Sequence, residues 1–109
     1  MKKLALISLL LLSTTATATA SAHDRLDLAR CWGQLSYDLL DDNPSPDVRH
    51  KIEILHTKIF VLDANTIEQI KESAVVFSKS LEWTNMLDDL TAYKHIKESG
   101  QKSCEKVIQ

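Results

Sequence analysis

Residues 46–62 read PDVRHKIEILHTKIFVL, and within them Val48, Ile52, Leu55, Ile59 and Leu62 recur at intervals of four, three, four and three. That rhythm returns apolar side chains to one stripe of an α-helix and does not fit the period of two that a strand requires. The preceding residues supply a start signal. In Asn43-Pro44-Ser45-Pro46 the prolines stop any helix arriving from upstream, and Ser45 can accept a hydrogen bond from a new first turn. Pro46 fits the first helical position, where its missing N–H costs nothing. A helix is predicted from Pro46 to about Leu62.

The same period extends in both directions. Upstream, from Asp24 to about Asp41, Leu28, Trp32, Leu35 and Leu39 share one stripe, with Cys31 facing inward beside it. Downstream, Asp63-Ala64-Asn65 forms a short link, and Asn65 with Glu68 three residues on has the pattern of a capping box. The third helix then carries Ile67, Ile70, Ala74, Phe77 and Leu81 in register. Continuing that stripe would bring Thr84 and Asp88 inward, so a break is expected after Leu81. Asn85 is the expected cap of a fourth helix starting near Met86. Its first turn would hold Asp88 and Asp89, where carboxylates suit the positive end of the helix dipole.

Leu87, Leu90, Tyr93 and Ile96 give this fourth helix an apolar side, and Gly100 is expected to end or kink it before a last turn with Cys104 and Val107. No stretch alternates as a strand does. Amphipathic helices joined by short links bury their stripes by packing together, so the expected fold is all-α, a small bundle of four or five helices.

The first 22 residues have a different organisation. Lys2 and Lys3 precede the apolar run Leu4 to Leu12, and a Ser/Thr/Ala stretch ends in Ala20-Ser21-Ala22. That order of parts is that of a secretory signal peptide cleaved before His23, and the apolar run is too short for a helix that needs about 20 residues to cross a bilayer. The expected products are a cleaved signal, residues 1–22, and a single helical domain, residues 23–109, located in the periplasm.

Removing residues 1–22 from the 109-residue chain leaves 87, few enough that one hydrophobic core needs reinforcement. The two cysteines, Cys31 and Cys104, would oxidise in an exported protein, and only one intramolecular pairing exists for them. A disulfide closing the bundle is expected. Neither cysteine has a His or second Cys at chelating spacing, so no metal site is expected there.

Charge is concentrated at the front of the mature chain. Without Lys2 and Lys3, 11 Lys and Arg face 15 Asp and Glu, a net charge of −4. Residues 23–47 hold Arg25 and Arg30 against six aspartates and so carry that whole excess, while residues 48–109 balance. Nucleic-acid binding, which needs cations to neutralise phosphate, is a poor match. Lys94, Lys97, Lys102 and Lys106 are interleaved with Glu98 and Glu105, so membrane-surface binding is not expected either.

No catalytic residues are identified: with Gly33 and Gly100 the only glycines there is no phosphate-cradling loop, and no nucleophile or zinc-protease motif occurs. No cofactor is implied. His50, Glu53 and His56 cannot easily share a metal ion, because six residues of helix turn the two imidazoles to opposite flanks. Trp32 and Trp83 are read as core or groove-edge packing.

One cluster breaks a local rule. The end of the first helix carries Asp38, Asp41 and Asp42 with no cation between Arg30 and Arg49, although the negative end of a helix disfavours carboxylates by about 0.3–1 kcal/mol each. These aspartates with Asn43 are the candidate partner-binding residues, offered to a basic protein. The expected function is that of a small exported, non-enzymatic protein-binding domain such as a toxin-immunity or enzyme-inhibitor protein. The alternative is a pH-responsive periplasmic chaperone, because protonation of four histidines near pH 5 would cancel the net −4.

Overall fold

The computed structural model describes residues 22–40 and 43–108, without the side chains of residues 22 and 23. The expected signal segment lies outside these residues except for Ala22. Among the described residues four helices follow one another: α1 (Ala22–Asp38), α2 (Pro46–Ile59), α3 (Ala64–Met86) and α4 (Leu90–Ile108). Among the described residues there is no strand, and the fold is a small all-α bundle.

Helix starts follow side-chain acceptors. Ser45 caps α2 as expected, its Oγ accepting from the Val48 N–H at 3.3 Å, with Pro46 in the first turn. The cap of α3 is Asp63 rather than Asn65: its Oδ1 accepts from the Thr66 N–H at 2.8 Å and its Oδ2 from the Thr66 hydroxyl at 2.7 Å. A carboxylate that takes two donors outcompetes the amide two residues later. Those bonds hold the Asp63 carboxyl below the usual carboxylate range.

The third break also falls later than expected. Helix α3 continues through Thr84, whose hydroxyl donates to the carbonyl oxygens of Ser80 at 2.9 Å and Leu81 at 3.2 Å, so a polar residue at an inward phase satisfies itself on its own helix. The helix ends at Met86, where the Asp89 N–H donates to the Thr84 oxygen and the Asp88 N–H to the Asn85 oxygen. This is a Schellman closure, with Asp88 at φ 56° in the left-handed position usually taken by glycine. Asp89, not Asn85, then caps α4 by accepting from the Ala92 N–H at 3.2 Å.

Helix α1 is the centre of the bundle and touches each of the others. Tyr37 meets Tyr93 at one end and Asp27 meets Ser103 at the other, so α1 runs antiparallel to α4. Arg25 donates to Gln69 near the start of α3, and Gly33 lies against Ala74, so α1 and α3 run side by side in one direction. Trp32 stacks edge-on against His56 and Phe60 of the α2 end, and Lys58 donates to the Val107 carbonyl oxygen, placing α2 between α1 and the end of α4.

Leu28, Cys31, Leu35, Leu55, Ile59 and Ile70 form the buried centre, with Trp32, Val48, Ile52 and Leu62 packed around it. Each fully buried Leu or Ile contributes about 1.5–3 kcal/mol. Helix α1 stops at Asp38, so Leu39 lies in the following turn and is 42% exposed; α2 likewise stops short of Leu62.

Cys31 and Cys104 are joined, their Cα atoms 4.6 Å apart and 73 residues distant in the chain, which links the central helix to the last one. Gly100 neither ends nor kinks α4, which runs on to Ile108. A Cβ on Gly100 would sit 2.7 Å from Gln34 Oε1 and 2.8 Å from Gln34 Cβ, and one on Gly33 2.6 Å from the Ala74 carbonyl oxygen. Both glycines allow α1 to approach its neighbours more closely than any side chain permits.

Candidate functional site

The end of the bundle where α1 stops gathers residues from every helix. Tyr37 and Asp38 from the end of α1, Leu40 and Asn43 from the turn, Val48 from α2, Glu82 from α3, and Tyr93 and Lys97 from α4 line a groove of about 620 Å³. The two tyrosine rings meet at 6.1 Å with planes 63° apart, and Lys97 Nζ lies 5.8 Å from the centre of the Tyr93 ring. Burial and a hydrogen bond with Tyr93 push the Tyr37 phenol from 10.0 up to about 12, against an opposing contact with Asn85. The groove wall therefore holds a braced pair of rings, with the Lys97 ammonium and the Asp38 and Glu82 carboxyl groups lining the same depression.

Of the expected partner-binding residues, Asp38 and Asn43 come together on this groove, and Asp41 and Asp42 lie outside the described residues. Asp38 Oδ1 accepts from the Gln34 side-chain N–H at 3.2 Å, an amide donor that offsets part of the cost of a carboxylate at a helix C-terminus. Gln34 itself is 1% exposed, and its Oε1 has no hydrogen-bond partner, being pressed against Gly100. Asp38 also borders a second groove of about 470 Å³ with Lys51, Gln101 and Glu105, so it forms the ridge between two depressions.

Beyond the groove, the α3–α4 turn corrects two expectations. Trp83 packs into no core: it is 58% exposed, with Met86 at 70%, Leu87 at 67% and Leu90 at 68%. Leu87 and Leu90 therefore do not form the inner side of α4, which is supplied by Tyr93, Ile96, Gly100, Ser103 and Cys104. The physical reason is length. Helix α3 has 23 residues against 14 for α2, and the groove sets the start of α2 level with Glu82. The outward side chains of residues 83–90 lie past the ends of α1 and α2, where none of the described residues buries them. A signal for this was present in the sequence: Val76, Trp83 and Leu87 repeat at seven and four, a second apolar stripe well away from the Ile70–Leu81 side of α3.

The remaining chemistry is modest. Among the described residues no three His, Cys, Asp or Glu side chains gather as a metal-binding group, and no helix is long and apolar enough to cross a membrane. His56 is committed to packing, its ring 5.9 Å from Trp32 and 5.2 Å from Phe60. His50 and His95 are exposed. The chain matches no protein-family model, and neither the curated proteins nor the solved structures contain a significant match to it.

Proposed function

We propose that the mature chain is an exported, non-catalytic domain that binds a basic protein at the end of the bundle where α1 stops, in the manner of a toxin-immunity or enzyme-inhibitor protein. The observation that supports this reading is the convergence of Asp38 and Asn43 with Glu82 on one groove, because carboxyl groups from separate elements offer a positively charged partner a shaped, not merely acidic, surface. Export to the periplasm rests on the Lys2 to Ala22 leader pattern and is compatible with the oxidised Cys31–Cys104 pair. Capture from cell-envelope extract tests it. The expected result is a basic partner whose retention falls with added salt and with Asp38→Asn or Glu82→Gln; capture indifferent to both would remove the acidic groove from the account.

A second reading, the acid-responsive chaperone, is favoured by the large apolar side chains left exposed at residues 83–90 together with the exposed His50 and His95. It requires suppression of client aggregation to appear between about pH 7 and 5. Identical behaviour across that range eliminates it.

A further inference from the structure

We infer that the α3–α4 turn is the anchor of this interface, and that its occupant is an amphipathic helix of another protein, apolar on one side and flanked by lysine or arginine. The inference rests on the protein-binding reading above and adds the contact residues and the form of the partner. Its basis is the coincidence of exposure and charge in one short segment.

Trp83, Met86, Leu87 and Leu90 are each more than half exposed. Side chains of this size together present on the order of 500 Å² of apolar surface, a large share of the roughly 800 Å² that each partner contributes to a standard interface. An apolar patch of that extent is often a functional one. Trp is also the residue type most often found as a central anchor.

Charge selects the occupant. Between Lys79 and Lys94 the chain has Glu82, Asp88 and Asp89, all exposed, and no cation, while on the α4 side Lys94 and Lys97 border Leu90. Insertion into a lipid surface is opposed, since these carboxylates would enter the negative field of anionic headgroups. A second copy of this chain is opposed as well: a two-fold contact brings the same patch in from both sides and so places six carboxylates around one interface. A partner helix with cations beside its apolar face meets both features at once. The platform is rigid, because the Schellman closure at Asp88 fixes the turn and the Tyr37–Tyr93 contact braces the start of α4 against α1.

Two designed helical peptides with the same leucine face, one flanked by lysines and its twin by glutamates, test this against the mature chain. Binding is read from tryptophan emission, with Trp83→Phe assigning the signal against Trp32. The lysine peptide is expected to bind at least about tenfold more tightly than its twin, a gap that narrows in Asp88→Asn, while Leu87→Ser weakens both by about tenfold or more. Leu87→Ser removes an exposed side chain, so an unchanged melting transition separates lost binding from lost folding. Equal affinity for the two peptides overturns the inference. So does a silent Trp83, capture of anionic vesicles by the tip, or a dimer in sedimentation that Leu87→Ser dissolves. A lysine peptide that seats on Trp83 while envelope capture ignores Asp38→Asn leaves this inference standing and removes the groove; silence from both peptides with Asp38-dependent capture intact does the reverse.

Discussion

The Ser103 hydroxyl donates to Asp27 Oδ1 at 2.9 Å, with both residues buried and 76 positions apart in the chain. Asp27 lies one helical turn before Cys31, and Ser103 is adjacent to Cys104, so a polar bond and a covalent one clamp α1 to α4 at the same level. Ser103→Ala leaves a buried acceptor short of a donor and should cost about 1–3 kcal/mol in chemical denaturation. Replacing both cysteines by serine should cost about 4 kcal/mol through the restored freedom of the unfolded chain. The three substitutions combined should depart from additivity, since both bonds join neighbouring turns of the same two helices.

Gly33→Ala and Gly100→Ala oppose two effects. Alanine favours a helix over glycine by about 0.8–1 kcal/mol, but the new methyl overlaps a neighbour. At Gly33 the neighbour is the Ala74 carbonyl oxygen at 2.6 Å, which moves only with helix α3. At Gly100 it includes Gln34 Oε1, the end of a side chain, although Gln34 Cβ at 2.8 Å is nearly as close. Overpacking should win at both, by about 1–3 kcal/mol, and the loss should be larger at Gly33. Denaturant midpoints at unchanged slope are the measurement, and a stabilised Gly33→Ala would disprove the packing described for α1 and α3.

Asp88 occupies a left-handed conformation that L-residues reach at a cost. Asp88→Gly should therefore stabilise the protein, by about 0.5–1 kcal/mol, whereas Asp88→Val should destabilise it by more. Paired thermal melts of the two variants read the sign directly.

The protein has two tyrosines, so Tyr93→Phe isolates Tyr37 for spectrophotometric titration. In the unaltered protein Tyr37 should ionise near pH 12, displaced from 10.0 first by burial and then by its bond to Tyr93. Without that bond the midpoint should fall part of the way back. Because folding raises this pKa, the associated stability is complete below about pH 10 and is lost as pH climbs toward about 12. Tyr37→Phe should flatten the alkaline limb of a stability curve, and an unchanged limb would locate the alkaline loss elsewhere.

The local half of this structure was legible in the residues. The stripes of α2 and α3, the Ser45 cap with Pro46, and the cysteine pairing all depend on neighbours in sequence or on there being only two thiols. The Asp63 and Asp89 caps were missed because several side chains near each helix start could accept the same N–H groups, and the choice between them rests on fractions of a kcal/mol. Of the candidate site, Asp38 and Asn43 were found, but Glu82 and Tyr37 were not, since they reach the groove from α3 and α1 only after the helices have packed.

What the amino-acid sequence determined by itself was the set of helices, the inner faces of α2 and α3 and the single covalent closure, because period, caps and cysteine count act along the chain. What only the tertiary structure decided was which helix stands in the middle, why glycine occupies positions 33 and 100, and why Trp83 to Leu90 face outward. A period reports that a side is apolar, but whether anything covers that side depends on the relative lengths and registers of helices far apart in sequence, and those are set by packing.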